Sequence, residues 1–220
     1  MHQVVSFKRC SLAVALAMAV LLSPAVGFAQ LGGGLPIPTP LPLPVPTTTA
    51  TSSVLGSASA VSSTVLGFTT VLGGTGTLSG VNDARDASMI TGSLPSILTA
   101  ETLSAATIGW ADQVYSEASL TNLNMTVAGV GITASSVAAQ ASQVLGAAGS
   151  GSSAFSNLAI NGVPINVTGA PNQIVAVPGG IVTINEQTIS SNGAAVVNAL
   201  HVAVAGVADL VVASATAGIS

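Results

Sequence analysis

Apolar and polar residues alternate with period two over several stretches of the chain. Leu123, Met125 and Val127 alternate with Asn122, Asn124 and Thr126, and Leu200, Val202 and Val204 alternate with Ala199, His201 and Ala203. Side chains of a strand point to opposite faces in turn, so this pattern with β-branched residues predicts half-buried strands. Ile108, Trp110, Val114 and Leu120 share one parity and extend the expectation to 107–120. Asn161-Gly162 separates Leu158–Ile160 from Val163–Ile165, a two-residue hairpin signal. Pro178-Gly179-Gly180 separates Ile174–Val177 from Ile181–Ile184 in the same way. Residues 132–145 are rich in Ala and Ser, and the pattern leaves strand and helix open there. Residues 146–153, GAAGSGSS, read as a flexible loop.

These elements predict an all-β body, a two-sheet sandwich of hairpin-connected strands, with a β-solenoid as the alternative. The expected core is Leu123, Met125, Val127, Leu200, Val202 and Val204, with Trp110 as its largest filler. Two echoes support recurrent hairpins: LNMTVAGV at Leu123–Val130 returns as LHVAVAGV at Leu200–Val207, and Val-Leu-Gly recurs at Val54, Val65, Val71 and Val144. Their spacing is too irregular for a solenoid period.

The first fifty residues follow a different pattern. Lys8 and Arg9 precede an apolar run from Cys10 to Leu22, Ser23-Pro24 breaks it, and Gly27-Phe28-Ala29 presents small residues for cleavage. This reads as a secretory signal peptide at 1–29, too short in its apolar run to span a bilayer. Residues 30–50 carry Pro at every second position from Pro36 to Pro46, which predicts a polyproline II spacer. The expected division is therefore signal peptide 1–29, linker 30–50 and β-rich domain 51–220.

Composition then narrows the function. Charged residues are 5% of the chain against a usual share of about 25%. Beyond residue 29 stand seven acids and one arginine, Arg85, a net charge of −6 with histidine neutral. No basic patch for nucleic acid can be built from this. No stretch long and apolar enough to span a membrane follows the cleavage point. Cys10 is the only cysteine, so its removal excludes disulfides, thiol catalysis and cysteine-held metals.

The search for chemistry yields no catalytic, cofactor or metal residues. Glu186 and His201 are the one acid/base combination, weighed against Glu186 capping a strand end and His201 facing solvent. Asn82, Asp83 and Asp86 surround Arg85; they read as a solvated turn with a local ion pair rather than a calcium loop. Trp110 and Tyr115 differ in parity, which argues against a flat aromatic platform for sugars. Asn124-Met125-Thr126 and Asn166-Val167-Thr168 match the glycosylation sequon, a pattern common by chance.

Residues 153–187 and 198–219 resemble the choice-of-anchor P family of bacterial secreted proteins. The matching features are Asn161-Gly162-Val163-Pro164, Pro171-Asn172, Asn185-Glu186-Gln187, Leu200-His201-Val202 and the closing Ala213-Ser214-Ala215 with Ala217-Gly218. The resemblance implies an exported, surface-exposed β domain and supplies no catalytic residues. The expected function is a non-catalytic structural or adhesive β domain, secreted to the cell surface or extracellular space. The alternative is a module binding polysaccharide or ice, and a carboxylate-dependent hydrolase stands third. The partners expected are a second copy of the chain or an envelope or extracellular polymer. Pro164 and Pro178, and loops such as 146–153, are the expected guards of the sheet edges.

Overall fold

A computed structural model describes residues 52–220; the signal-peptide and linker expectations lie outside these residues. The chain forms β1 (Val54–Val65), β2 (Phe68–Gly74), β3 (Ala84–Leu94), β4 (Leu98–Gly109), β5 (Gln113–Val127), β6 (Val130–Val144) and β7 (Ser150–Ser156). There follow β8 (Ala159–Ile160), β9 (Val163–Pro164), β10 (Gln173–Val177), β11 (Gly180–Ile189), β12 (Ala195–Val204) and β13 (Ala208–Ile219). Six strands make sheet A in the order β10-β11-β12-β13-β1-β2. Seven make sheet B in the order β3-β4-β5-β6-β8-β9, with β7 beside β8 on the same edge of β6. Every pairing is antiparallel, so the fold is a sandwich and not a solenoid. The sheets pack face to face, β13 against β5 and β6, and β1 against β4 and β5.

Tight turns join the strands where the sequence can adopt positive φ. Asn161 and Gly162 take φ of 51° and 75° between β8 and β9, and Ala128 and Gly129 take 48° and 81° between β5 and β6. Both residues at positive φ match the right-handed twist of the flanking strands. Ala128-Gly129 belongs to the first copy of the LNMTVAGV echo; the second copy places Ala205-Gly206 at the corresponding corner after β12.

The core is one cluster of small and medium side chains. Leu123, Met125, Val127, Leu200, Val202 and Val204 are all buried in it, with many alanines. Trp110 is not its filler: the residue is 37% exposed, in the turn after Gly109. That turn breaks the shared parity of 107–120, so Ile108 faces outward while Val114 and Leu120 face inward. Residues 132–145 lie almost wholly within β6, and 146–153 run from a short turn directly into β7. Pro164 does occupy β9, whereas Pro178 sits in the β10–β11 turn and guards no ladder.

Period two is interrupted once in most of the long strands. In sheet A, Gly73, Ala60, Ala213, Ala199 and Asn185 drop out of the ladder side by side, from β2 to β11. Each is buried, so two successive residues point inward there: Ala60-Val61, Ala199-Leu200, Val212-Ala213. In sheet B the opposite happens at Glu101-Thr102, Thr121-Asn122 and Ser135-Ser136, where two successive residues stay off the core. Gly73 of the first row lies close to Leu103 beside the second. At that point sheet A fills inward where sheet B turns outward. Positive φ at Gly73, Asn185 and Ala213, and at Thr102 and Asn122, re-aims the strand by one residue.

Candidate functional site

Two polar surfaces carry the chain's chemistry, one on the outer face of each sheet. On sheet A, β11, β12 and β13 bring together residues that are remote in sequence. His201 Nδ1 lies 3.0 Å from Glu186 Oε1, and its Nε2 lies 3.3 Å from Asp209 Oδ2. Asn198 Nδ2 donates to the other Glu186 oxygen at 2.6 Å, and Ser214 Oγ donates to Asn198 Oδ1 at 2.7 Å. Glu186 is therefore not a strand-end cap. It stands within β11, paired with Asn198, and half-buried.

Burial works against a charged imidazole, but the hydrogen bonds from His201 to Glu186 and Asp209 outweigh it and raise its pKa. Burial likewise works against a charged Glu186, and the bonds from Asn198 and His201 outweigh it and lower its pKa. An imidazole flanked by two carboxylates is satisfied only when both nitrogens carry protons. Ser214 meets Asn198 rather than the imidazole. The group ties β11, β12 and β13 together through His201, Glu186, Asn198, Asp209 and Ser214.

The expected ion pair of Asp83 with Arg85 forms, but Arg85 and Asp86 stand in β3 rather than in a turn, because they pair with β4. Asp83 Oδ2 accepts from the Ser79 backbone N–H at 2.7 Å, the Ser79 hydroxyl at 2.8 Å and Arg85 Nε at 3.1 Å. These bonds, led by those from Ser79, hold its carboxyl down at about 2. Asp86 points away, to the outer face of sheet B. Among the described residues no three His, Asp or Glu side chains converge as a metal site.

The outer face of sheet B is a lattice of small polar side chains. Ser88, Ser104 and Ser119 stand side by side across β3 to β5. Ser93, Thr99, Asn124 and Thr133 form another row across β3 to β6. At one end, the rows Ala84–Ile108–Tyr115–Ser142–Ser150 and Asp86–Ala106–Glu117–Gln140–Ser152 run across five strands. Tyr115 donates its hydroxyl to Glu117 Oε2 at 2.8 Å. Burial, then the neighbouring Glu117 carboxylate, push its phenol up to about 12, so it remains a donor. Sequence reasoning set Tyr115 aside for lack of an aromatic partner; the signal it missed was the i, i+2 spacing of Tyr115 and Glu117, which puts both on one face.

No family model, curated protein or solved structure matches the chain. Among the described residues no helix is long and apolar enough to cross a membrane.

Proposed function

We propose that the chain is an exported, non-catalytic β domain that acts as an adhesive or structural element at the cell surface or in the extracellular space. The observation that carries this reading is the outer face of sheet B, where hydroxyl and amide side chains form rows across neighbouring strands. Such a face offers many weak hydrogen bonds to an extended partner, which sum when several are made at once. The leader-like residues 1–29, the Pro-rich residues 30–50 and the resemblance to the choice-of-anchor P family support the same reading.

Binding of a polysaccharide is the second reading, and the same rows favour it. Ice is less well served, because Asp86, Glu101 and Glu117 interrupt the face with exposed charge. A hydrolase has weaker support. A general acid needs an apolar setting to hold its proton at neutral pH, whereas Asp86 and Glu117 are exposed and Glu186 and Asp209 are bound to His201.

The test is co-sedimentation of the full chain with washed cell-wall particles. Retention in the pellet, and release by soluble wall polymer, supports adhesion; recovery wholly in the supernatant overturns it. Edman sequencing of the extracellular protein checks export, and an N-terminus at Met1 would overturn the leader.

A further inference from the structure

Tyr115 borders two depressions on the outer face of sheet B. One, of about 340 Å³, spans β3 to β5; its outward-facing lining is Ala84, Asp86, Ala106, Ile108, Tyr115 and Glu117, with Arg85 and Thr107 alongside. The other, of about 260 Å³, spans β5 to β7 and is lined by Tyr115, Gln140, Ser142, Ser150 and Ser152. They exist because β4 presents Ala106 between Asp86 and Glu117, and β6 and β7 present only Ser and Gln beside Tyr115. The first is centred on β4 and the second on β6. These centres lie two inter-strand spacings apart, about 10 Å.

We infer that this pair of depressions is a binding site for an extended, neutral β-linked glycan lying across the strands, with Tyr115 between consecutive subsites. This rests on the polysaccharide reading above and names its ligand class. The spacing matches the disaccharide repeat of an extended β-linked chain. A sugar ring has an apolar C–H face and a hydroxyl rim. Ala84, Ala106 and Ile108 make an apolar floor for the first, and the Tyr115 ring adds a stacking surface. Asp86 and Glu117 sit on opposite sides of that floor as acceptors for hydroxyls, and Gln140, Ser142, Ser150 and Ser152 supply donors and acceptors in the second subsite. The hydrogen bond to Glu117 aligns the phenol along β5, so the ring is held in place before a ligand arrives.

Isothermal titration of the full chain with cellohexaose, and with maltohexaose as a control of different helical geometry, tests the site. Cellohexaose is expected to bind, and maltohexaose to bind at least about tenfold more weakly. Tyr115→Ala is expected to weaken cellohexaose about tenfold through loss of stacking. Should Tyr115→Ala fail to fold, Asp86→Ala on the exposed edge strand is expected to weaken binding several-fold without disturbing the core. Thr64→Val, on the outer face of sheet A, is expected to leave binding unchanged. Native affinity in both Tyr115→Ala and Asp86→Ala overturns the site, as does no binding of cellohexaose by the native chain. If the native chain still sediments with walls in that case, adhesion stands and only this ligand assignment falls.

Discussion

Ser116, on β5, donates a hydrogen bond of 2.6 Å to the carbonyl oxygen of Thr216, on β13 of the opposite sheet and 100 residues further along the chain. The Ser116 proton being committed, the Thr107 hydroxyl, 2.7 Å away, must donate to Ser116 Oγ. Both side chains are buried, so the bond helps fix how the two sheets sit against each other in a core held mostly by non-directional contacts. Ser116→Ala removes the bond to Thr216 and strands the Thr107 hydroxyl. A loss of about 1–3 kcal/mol is expected in urea unfolding, and an unchanged midpoint would refute it.

Gln143 makes a second buried tie. Its amide nitrogen donates to Ala147 O at 2.9 Å and Asn192 O at 3.1 Å, and its oxygen accepts from Ile219 N at 2.8 Å. One side chain thus joins the β6–β7 turn, the β11–β12 turn and the end of β13. Gln143→Leu retains bulk but leaves a donor and two acceptors unmet, and should cost about 2–4 kcal/mol. Thermal unfolding followed by circular dichroism, with a wholly β-type native spectrum, measures it.

Stability should peak in mildly acidic solution. The raised His201 pKa contributes stability that is fully present below its unfolded value of about 6.5 and is lost as pH rises through the folded value. The lowered Glu186 pKa contributes stability that is present above its unfolded value of about 4.5 and is lost as pH falls through the folded value. Glu186 on β11 and Asp209 on β13 are the charged groups that face the imidazole, and Asp83, also held low, adds to the acid limb. Urea midpoints measured across the acidic and alkaline range should show the maximum between those two values. In His201→Gln the alkaline decline should shrink; a decline as steep as in the native chain would show that other groups cause it.

Thr102 holds φ of 48° on an exposed stretch of β4, where a β-branched residue is strained. Asn122, its neighbour in the row of turned-out residues, shows the residue type that tolerates this conformation. Thr102→Asn should raise stability by about 0.5–1 kcal/mol. A lower unfolding midpoint would mean that the threonine makes contacts that outweigh its strain.

The sheet edges invite self-association. β3 is an edge strand of 11 residues, and β2, the edge of sheet A on the same flank, exposes Phe68 and Val71. Of the usual guards, β3 has only Arg85 and Asp86, both near one end, with Ile90 exposed between them and Leu94. Sedimentation velocity over a range of concentrations should reveal a reversible oligomer. Substituting Ile90→Lys should shift it toward monomer. A single monomeric species at every concentration, in moderate salt, would show that the edges are closed.

Strand formation and the all-β class were legible in the residues themselves. Alternation around Leu123–Val127 and Leu200–Val204, and the turns at Asn161-Gly162 and Pro178-Gly179, follow from backbone preferences acting over a few residues. The parity slips left a trace as well, in apolar pairs three apart such as Leu120 and Leu123, or adjacent ones such as Ala199 and Leu200. A reading at fixed period two passes over them. Trp110 went astray for the same reason, since a turn reset the phase between Ile108 and Val114. What only the tertiary structure decided is which distant strands lie side by side. His201 meets Glu186 and Asp209, Ser116 meets Thr216, and Ala106 opens a floor between Asp86 and Glu117 because of cross-strand register. Register is set by burying each strand's apolar face against the whole sandwich, a non-local requirement that no single segment carries.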